Sequence, residues 1–494
     1  MIGWPRVVRR TWTMIHHAAR RKARQLHRLS RRTLQFSLLL GGAALVSFVS
    51  LGFARMVDLA LQWNKAWVAG LPWLVWPALP VGMVGLRWAT LRFAPNAVGS
   101  GIPQVIASLS LPARSGRIRL VTLYQAVWKV PLTFLGLVLG ASIGREGPSV
   151  QVGAALMLAW GRFCNKMGVP LKGVHTGELI ATGAAGGLAA AFNAPLAGVI
   201  FAIEELGRGV ALRWQRLVLL GVLAAGFIVV VFAGNNPYFG LFTGQALDHD
   251  MPGWTLLCGL VCGVGGGLFS WLLSKGAAAF APARWRGWLR RHPLHLAFLM
   301  GLILAVLGWL THYTVFGTGY DVASSAMAGH ALESPGFGPA KLLATVVSYW
   351  AGIPGGIFTP ALTAGAGFGA ELSRLSGAVA DQRVLVLLSM ASFLAAATQS
   401  PLTASAIVME MTGSQPMLVW LLLASLCASL VSRLFSPQPF YHFSAGRFRQ
   451  QVREGDIAQA KAAAEADSPD TDSPAESDEE QALDVSDGAA GDRA

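Results

Sequence analysis

Glu146 sits inside Gly144-Arg145-Glu146-Gly147-Pro148, directly after the apolar run Val130–Ile143. A carboxylate in such surroundings is costly to keep, and by default marks an ion pathway or a proton relay. The distribution of acids sharpens the point. Of the 25 Asp and Glu, 12 occur before residue 450 and 13 crowd the last 44 positions, so an acid within the apolar part of the chain is an exception with a task. The alternative reading is a carboxylate that caps a helix end. Three further acids share this setting: Glu204 and Glu205, which follow Pro195-Leu196-Ala197-Gly198-Val199-Ile200-Phe201-Ala202-Ile203, and Glu410.

The elements that must position these groups are apolar helices. With 53% hydrophobic residues, 57 Gly and 17 Trp, the chain has the composition of an all-α polytopic membrane protein and not of a soluble enzyme. Apolar runs cover 34–53, 66–91, 120–143, 149–163, 177–206, 215–234, 254–280, 294–315, 339–352, 357–373, 384–411 and 416–435. Gly, Pro and Asn interrupt the longer ones, which predicts short and broken helices, tolerated in a bilayer only where protein or a water-filled path surrounds them.

The formal charge of +14 is concentrated at one end. Residues 1–32 carry ten Lys/Arg and no acid, and the positive-inside rule places a basic segment 1–33 in the cytoplasm. A nucleic-acid-binding arm and a transit peptide share this composition, but a juxtamembrane anchor fits better beside the first span, and no nucleic-acid partner is expected. Residues 451–494 carry thirteen acids and three bases and are expected to be a disordered, cytoplasmic acidic tail. Cys164, Cys258, Cys262 and Cys427 form no disulfide framework or CxxC pair, and the histidines show no HExxH spacing, so neither metal nor cofactor is expected. A phosphate-loop motif GxxxxGK[ST] is absent too, which argues against an embedded enzyme.

The sequence also repeats itself. Leu188-Ala189-Ala190-Ala191-Phe192-Asn193-Ala194-Pro195-Leu196 returns as Leu394-Ala395-Ala396-Ala397-Thr398-Gln399-Ser400-Pro401-Leu402, and Glu204 and Glu410 follow their prolines at the same distance. Gly153 after Pro148 likewise matches Gly365 after Pro360. Two homologous halves, roughly 34–236 and 254–435, with interrupted helices at matching places are the signature of a secondary transporter. Three interruptions set glycine ahead of a proline that opens an apolar segment: Gly99-Ser100-Gly101-Ile102-Pro103, Gly144–Pro148, and Gly355-Gly356-Ile357-Phe358-Thr359-Pro360. Each reads as a helix N-terminus whose unpaired N–H groups attract an anion. With few cationic side chains nearby, the implied ligand is a small anion that binds loosely enough to leave.

These motifs, in this order, resemble the signatures of the CLC family of chloride channels and proton-coupled chloride transporters, over about residues 33–450. The resemblance implies a homodimer with one pore per subunit and two repeats of opposite membrane orientation, with many tilted, short and broken helices. It implies an anion site formed by the Ser100 hydroxyl, the Ile357 and Phe358 amides and the Tyr441 hydroxyl, with Gly144, Arg145 and Gly147 at an outer position. Gly99, Gly101 and Pro103 would support the loop. Lys129 resembles a lysine that makes the pathway positive; a lysine snorkelling from a helix end is the alternative. Tyr441 also admits a second reading, an interfacial aromatic anchor.

Glu146 resembles the family's gating glutamate. An ionised carboxylate can fill an anion site and a protonated one cannot compete, so one side chain can gate and carry protons. Glu205 resembles the internal proton glutamate typical of exchangers, which favours chloride/H+ antiport over a passive gated channel; a helix-end acid pair is the bland alternative. Serine in Gly99–Pro103 matches the chloride-preferring pattern. Regulation through paired nucleotide-binding modules after the membrane domain is not expected. The expected setting is a bacterial inner membrane.

Overall fold

The computed structural model describes residues 6–111, 118–168, 175–208, 216–244, 250–332, 334–377 and 379–466. These form eighteen α-helices and no strand. The first half comprises α1 (Arg6–Gly70), α2 (Val75–Phe93), α3 (Ile102–Ser110), α4 (Leu123–Leu139), α5 (Glu146–Lys166), α6 (Thr176–Phe192), α7 (Pro195–Phe201) and α8 (Arg216–Ala233). A π-helical turn, Ala202–Leu206, extends α7. The second half comprises α9 (Met251–Lys275), α10 (Ala283–Arg291), α11 (Pro293–Leu310), α12 (Tyr320–Met327), α13 (Phe337–Trp350), α14 (Phe358–Leu375), α15 (Gln382–Thr398), α16 (Pro401–Thr412) and α17 (Leu418–Ser432), followed by α18 (Phe440–Ala466). Five of the described helices are long and apolar enough to cross a membrane, and Leu123–Leu139, Val218–Ala233 and Gln382–Thr398 are shorter apolar helices.

The breaks fall where the sequence places them. The run 177–206 divides at Asn193 and the run 384–411 at Gln399, both in left-handed conformation (φ +53° and +57°), each followed by a proline in the first turn of the next helix. Pro72, in a 3-10 turn, divides the run 66–91. One expectation fails. Residues 451–494 were expected to be disordered, yet α18 continues to Ala466, because Ala458–Ala466 is rich in alanine, the strongest helix former. Residues 467–494 lie outside the described residues, as do residues 1–5 of the basic segment, and the rest of that segment is part of α1. By compactness the chain divides into residues 1–449, which hold the helical core, and 450–494.

Hydrogen bonds establish the relation of the halves. Glu204, at the end of α7, accepts from the amides of Leu402 (3.2 Å) and Thr403 (2.6 Å) at the start of α16. Glu410, near the end of α16, accepts from Leu196 (3.1 Å) and Ala197 (2.6 Å) at the start of α7. Each helix caps the other's N-terminus, so these equivalent helices run antiparallel: the repeats are inverted. A second pair agrees. Lys129 donates to the carbonyls of Ala97 (2.8 Å) and Gly99 (2.9 Å), and Lys341 to those of Val315 (2.8 Å) and Gly317 (2.7 Å).

Small residues bring the helices together. A Cβ at Gly153 of α5 would strike the Gly183 carbonyl of α6, and a Cβ at Gly365 of α14 would lie 2.5 Å from the Ser389 carbonyl of α15. Membrane helices gain their packing from such close backbone approach. Gly153→Val is therefore expected to destabilise the protein by about 1–3 kcal/mol, seen as a lower unfolding midpoint in detergent. Gly52→Val, with open space around it, serves as the neutral comparison.

Candidate functional site

Two backbone bridges place three helix starts side by side. Gly144 and Gly356 exchange both hydrogen bonds at 2.7 Å, and Gly99 donates to Ile353 (3.1 Å) and accepts from Gly355 (3.1 Å). Gly144 and Gly356 occupy equivalent positions in the two repeats, so the approximate twofold passes between them. The N-termini of α3, α5 and α14 thus point into one region, with Pro103, Pro148 and Pro360 in their first turns. Gly99 and Gly101 adopt φ of +65° and +101°, which turns the chain sharply enough to aim α3 inward.

Polar groups without a protein partner gather at this junction. Among the described buried side chains, the hydroxyls of Ser100, Thr359 and Tyr441 and both oxygens of Glu146 make no hydrogen bond. Ser100, Glu146 and Tyr441 are at most 1% exposed. The Tyr441 ring stacks on Phe358 (centroids 5.8 Å, interplanar angle 23°), and the neighbouring Phe440 packs edge-on against Tyr349. Tyr441 is therefore a buried side chain, not an interfacial anchor. The Glu146 carboxylate folds back over Gly144, beside Pro360. Ile357 and Phe358 open α14 with their amides at the same junction.

Cations are held outside this cluster. Lys129 is fully buried in mid-α4 rather than snorkelling from a helix end, and its Nζ is spent on the two loop carbonyls just ahead of Ser100. It braces the loop. Arg145 lies over the Tyr238 ring (5.4 Å to the centroid), 3.9 Å from Asp58, and donates to the Ala191 carbonyl at 3.4 Å. The sequence reading did not single out Tyr238 or Asp58, which come from distant segments and match no motif. It also passed over Lys341, whose match to Lys129 in the second repeat was a signal open to it.

The second acidic position is built differently. Glu204 is spent on capping α16, whereas Glu205, 1% exposed, turns inward. Ser400 donates to Glu205 Oε2, and the His442 ring approaches Oε1 to 3.6 Å. Ser400 was visible only as one letter of the repeated segment, and His442 only as the neighbour of Tyr441. Together the groups offer a small anion dipoles and hydroxyls in place of a direct ammonium contact, and they set one carboxylate, Glu146, where it can compete for that place.

A family model described as voltage gated chloride channel matches residues 80–433. A Citrobacter koseri protein named H(+)/Cl(-) exchange transporter ClcA is 30% identical over 396 residues, covering 74% of this chain and 78% of its own length. One of the same name from Vibrio cholerae is 31% identical over 372 residues, 71% of this chain and 74% of its own. Among solved structures, a slow cyanobacterial Cl-/H+ antiporter superposes with a TM-score of 0.71 at 26% identity, over 84% of this chain and 98% of its own. A CLC-type fluoride/proton antiporter, at 24% identity and a TM-score of 0.67, shares the fold over 83% of this chain and 97% of its own.

The tightest spacing at the junction is Gly147 against Ser100: an added Cβ would meet the hydroxyl of Ser100 and come within 2.6 Å of its carbonyl. Gly147→Ala is expected to weaken chloride binding at least about tenfold, about 1.4 kcal/mol, in titration calorimetry.

Proposed function

The chain belongs to the voltage-gated chloride channel family, and we propose that it is a multi-pass membrane transporter that exchanges chloride for protons. The observation that carries this reading is the buried Glu146 carboxylate at the start of α5, bound to no protein group and one residue ahead of Gly147, which packs against Ser100. In this reading the hydroxyls and the Ile357 and Phe358 amides hold chloride at the centre, and Gly144, Arg145 and Gly147 form the outer position. Ionised, Glu146 fills the outer position itself; protonated, it carries its proton away and admits chloride. Its competition with chloride couples the two ions without a second moving part. The exchange transporters named above support the coupling.

Glu205 supplies the second proton position. It is buried and accepts a hydrogen bond from a neutral donor, Ser400. The protein acts as a homodimer in a bacterial inner membrane with both termini cytoplasmic, which places Glu205 on the cytoplasmic side and Glu146 on the outer side. The basic segment ahead of the first span supports that orientation.

Reconstituted liposomes with an imposed chloride gradient test the coupling. The wild type is expected to drive protons uphill. Glu146→Gln and Glu205→Gln should each abolish proton movement while chloride still flows. Chloride flux without proton movement in the wild type would make the protein a channel and leave Glu205 with a structural role.

A further inference from the structure

We propose that His442 passes protons between the aqueous phase and Glu205. The proposal rests on the reading of Glu205 as the internal proton site and adds the route that site requires. Glu205 is itself 1% exposed, so its proton must cross protein to reach water. Among the described side chains that approach its carboxylate, Ser400 has a hydroxyl that neither gains nor loses a proton readily near neutral pH. His442 has a ring nitrogen that takes up a proton far more readily than a hydroxyl, at a pKa that burial and then Arg208 lower to about 4, and it is the partner that reaches outward: its side chain is 20% exposed while its Nε2 lies 3.6 Å from Glu205 Oε1.

The hydrogen bonds specify the direction of transfer. His442 Nε2 lies 3.2 Å from the backbone carbonyl of Glu205. A carbonyl only accepts, so Nε2 carries the hydrogen and Nδ1 is the basic nitrogen. Oε1 is also the Glu205 oxygen without a hydrogen-bond donor. A proton taken from water at Nδ1 makes the ring an imidazolium; a small rotation brings Nε2–H onto Oε1, which takes that proton and becomes a neutral carboxylic acid. The ring is left neutral with its hydrogen on Nδ1 and recovers the Nε2–H form by exchange with water. The return transfer reverses each step, so no group is consumed.

The charged groups facing the ring come from three elements. Glu204 and Glu205 lie on the π turn, with Glu204 engaged at the start of α16. Arg208 follows that turn and donates to the Gln399 carbonyl at 3.0 Å, and Arg449 lies one to two turns further along α18; both act on the ring electrostatically. Tyr441 precedes His442 directly, so one turn of chain supplies both the hydroxyl that faces the anion and the ring that faces the proton site.

The test measures chloride-driven proton flux in liposomes across a range of pH for the wild type, His442→Gln, His442→Asp and Glu205→Gln, with and without added imidazole. His442→Gln retains a donor for the Glu205 carbonyl and cannot titrate; its proton flux is expected to fall about tenfold and to recover as imidazole is raised. His442→Asp restores a titratable group and is expected to retain part of the flux without added imidazole. Where His442→Gln does not yield folded protein, His442→Asn takes its place beside His442→Asp. Wild-type proton flux in the amide variant, a loss that imidazole does not restore, or no more flux in His442→Asp than in the amide variant would overturn the role of His442 alone, provided Glu205→Gln abolishes proton movement. Proton movement surviving in Glu205→Gln would overturn the reading of Glu205, and this proposal with it.

Discussion

Backbone N–H groups at three helix starts, joined by the bridges Gly144–Gly356 and Gly99–Ile353/Gly355, set the conditions that the rest of the molecule meets. Each start carries unpaired donors, and a junction of three such ends inside a membrane protein is unfavourable unless something negative or polar faces it. The glycines follow from that geometry. Gly147 has no room for a Cβ beside Ser100, and a Cβ at Gly356 would lie 3.0 Å from both the Gly144 carbonyl and the Gly147 amide. The placement of the cations follows as well: an ammonium at the junction would hold an anion too firmly for transport, whereas Lys129 is occupied by carbonyls one loop away.

The inverted repeat builds this junction, and its asymmetries make it work. The shared parts are structural: the glutamates that cap each other's helices, the lysines that brace each loop, and the glycine crossings of α5 with α6 and of α14 with α15. Where the halves differ, function enters. The position of Glu146 is filled by Phe358 in the second repeat, so one equivalent position offers a titratable carboxylate and the other an aromatic wall against which Tyr441 stacks. After the paired glutamates, Glu205 is matched by Met411, and only the first-half helix carries the π turn, a local distortion frequent at functional sites.

Much of this was legible in the chain before folding was considered. The breaks at Asn193 and Gln399, the glycine–proline helix starts and the duplication follow from local rules of backbone geometry, and the scarcity of acids isolates Glu146 because burial of charge is costly. Long-range pairings were not legible. No spacing connects Arg145 with Asp58 and Tyr238, or Glu205 with Ser400 and His442, since each pair is assembled by helices far apart in sequence. The register of Glu204 and Glu410 marked the duplication, but their cross-capping needs the antiparallel arrangement that only the fold supplies. The helix to Ala466 was missed because acidic composition was weighed above the alanine-rich run that precedes most of the acids.

The central claim is that the Glu146 carboxylate and a permeating anion compete for one place defined by helix N-termini. Crystals of the wild type and of Glu146→Gln grown in bromide, with the ion located by its anomalous scattering, test it most directly. The account predicts bromide between the Ser100 and Tyr441 hydroxyls in both proteins, and a second bromide at the Gly147 amide in the variant alone. Bromide at the Gly147 amide beside an undisplaced Glu146 carboxylate in the wild type, or none there in the variant, would contradict it.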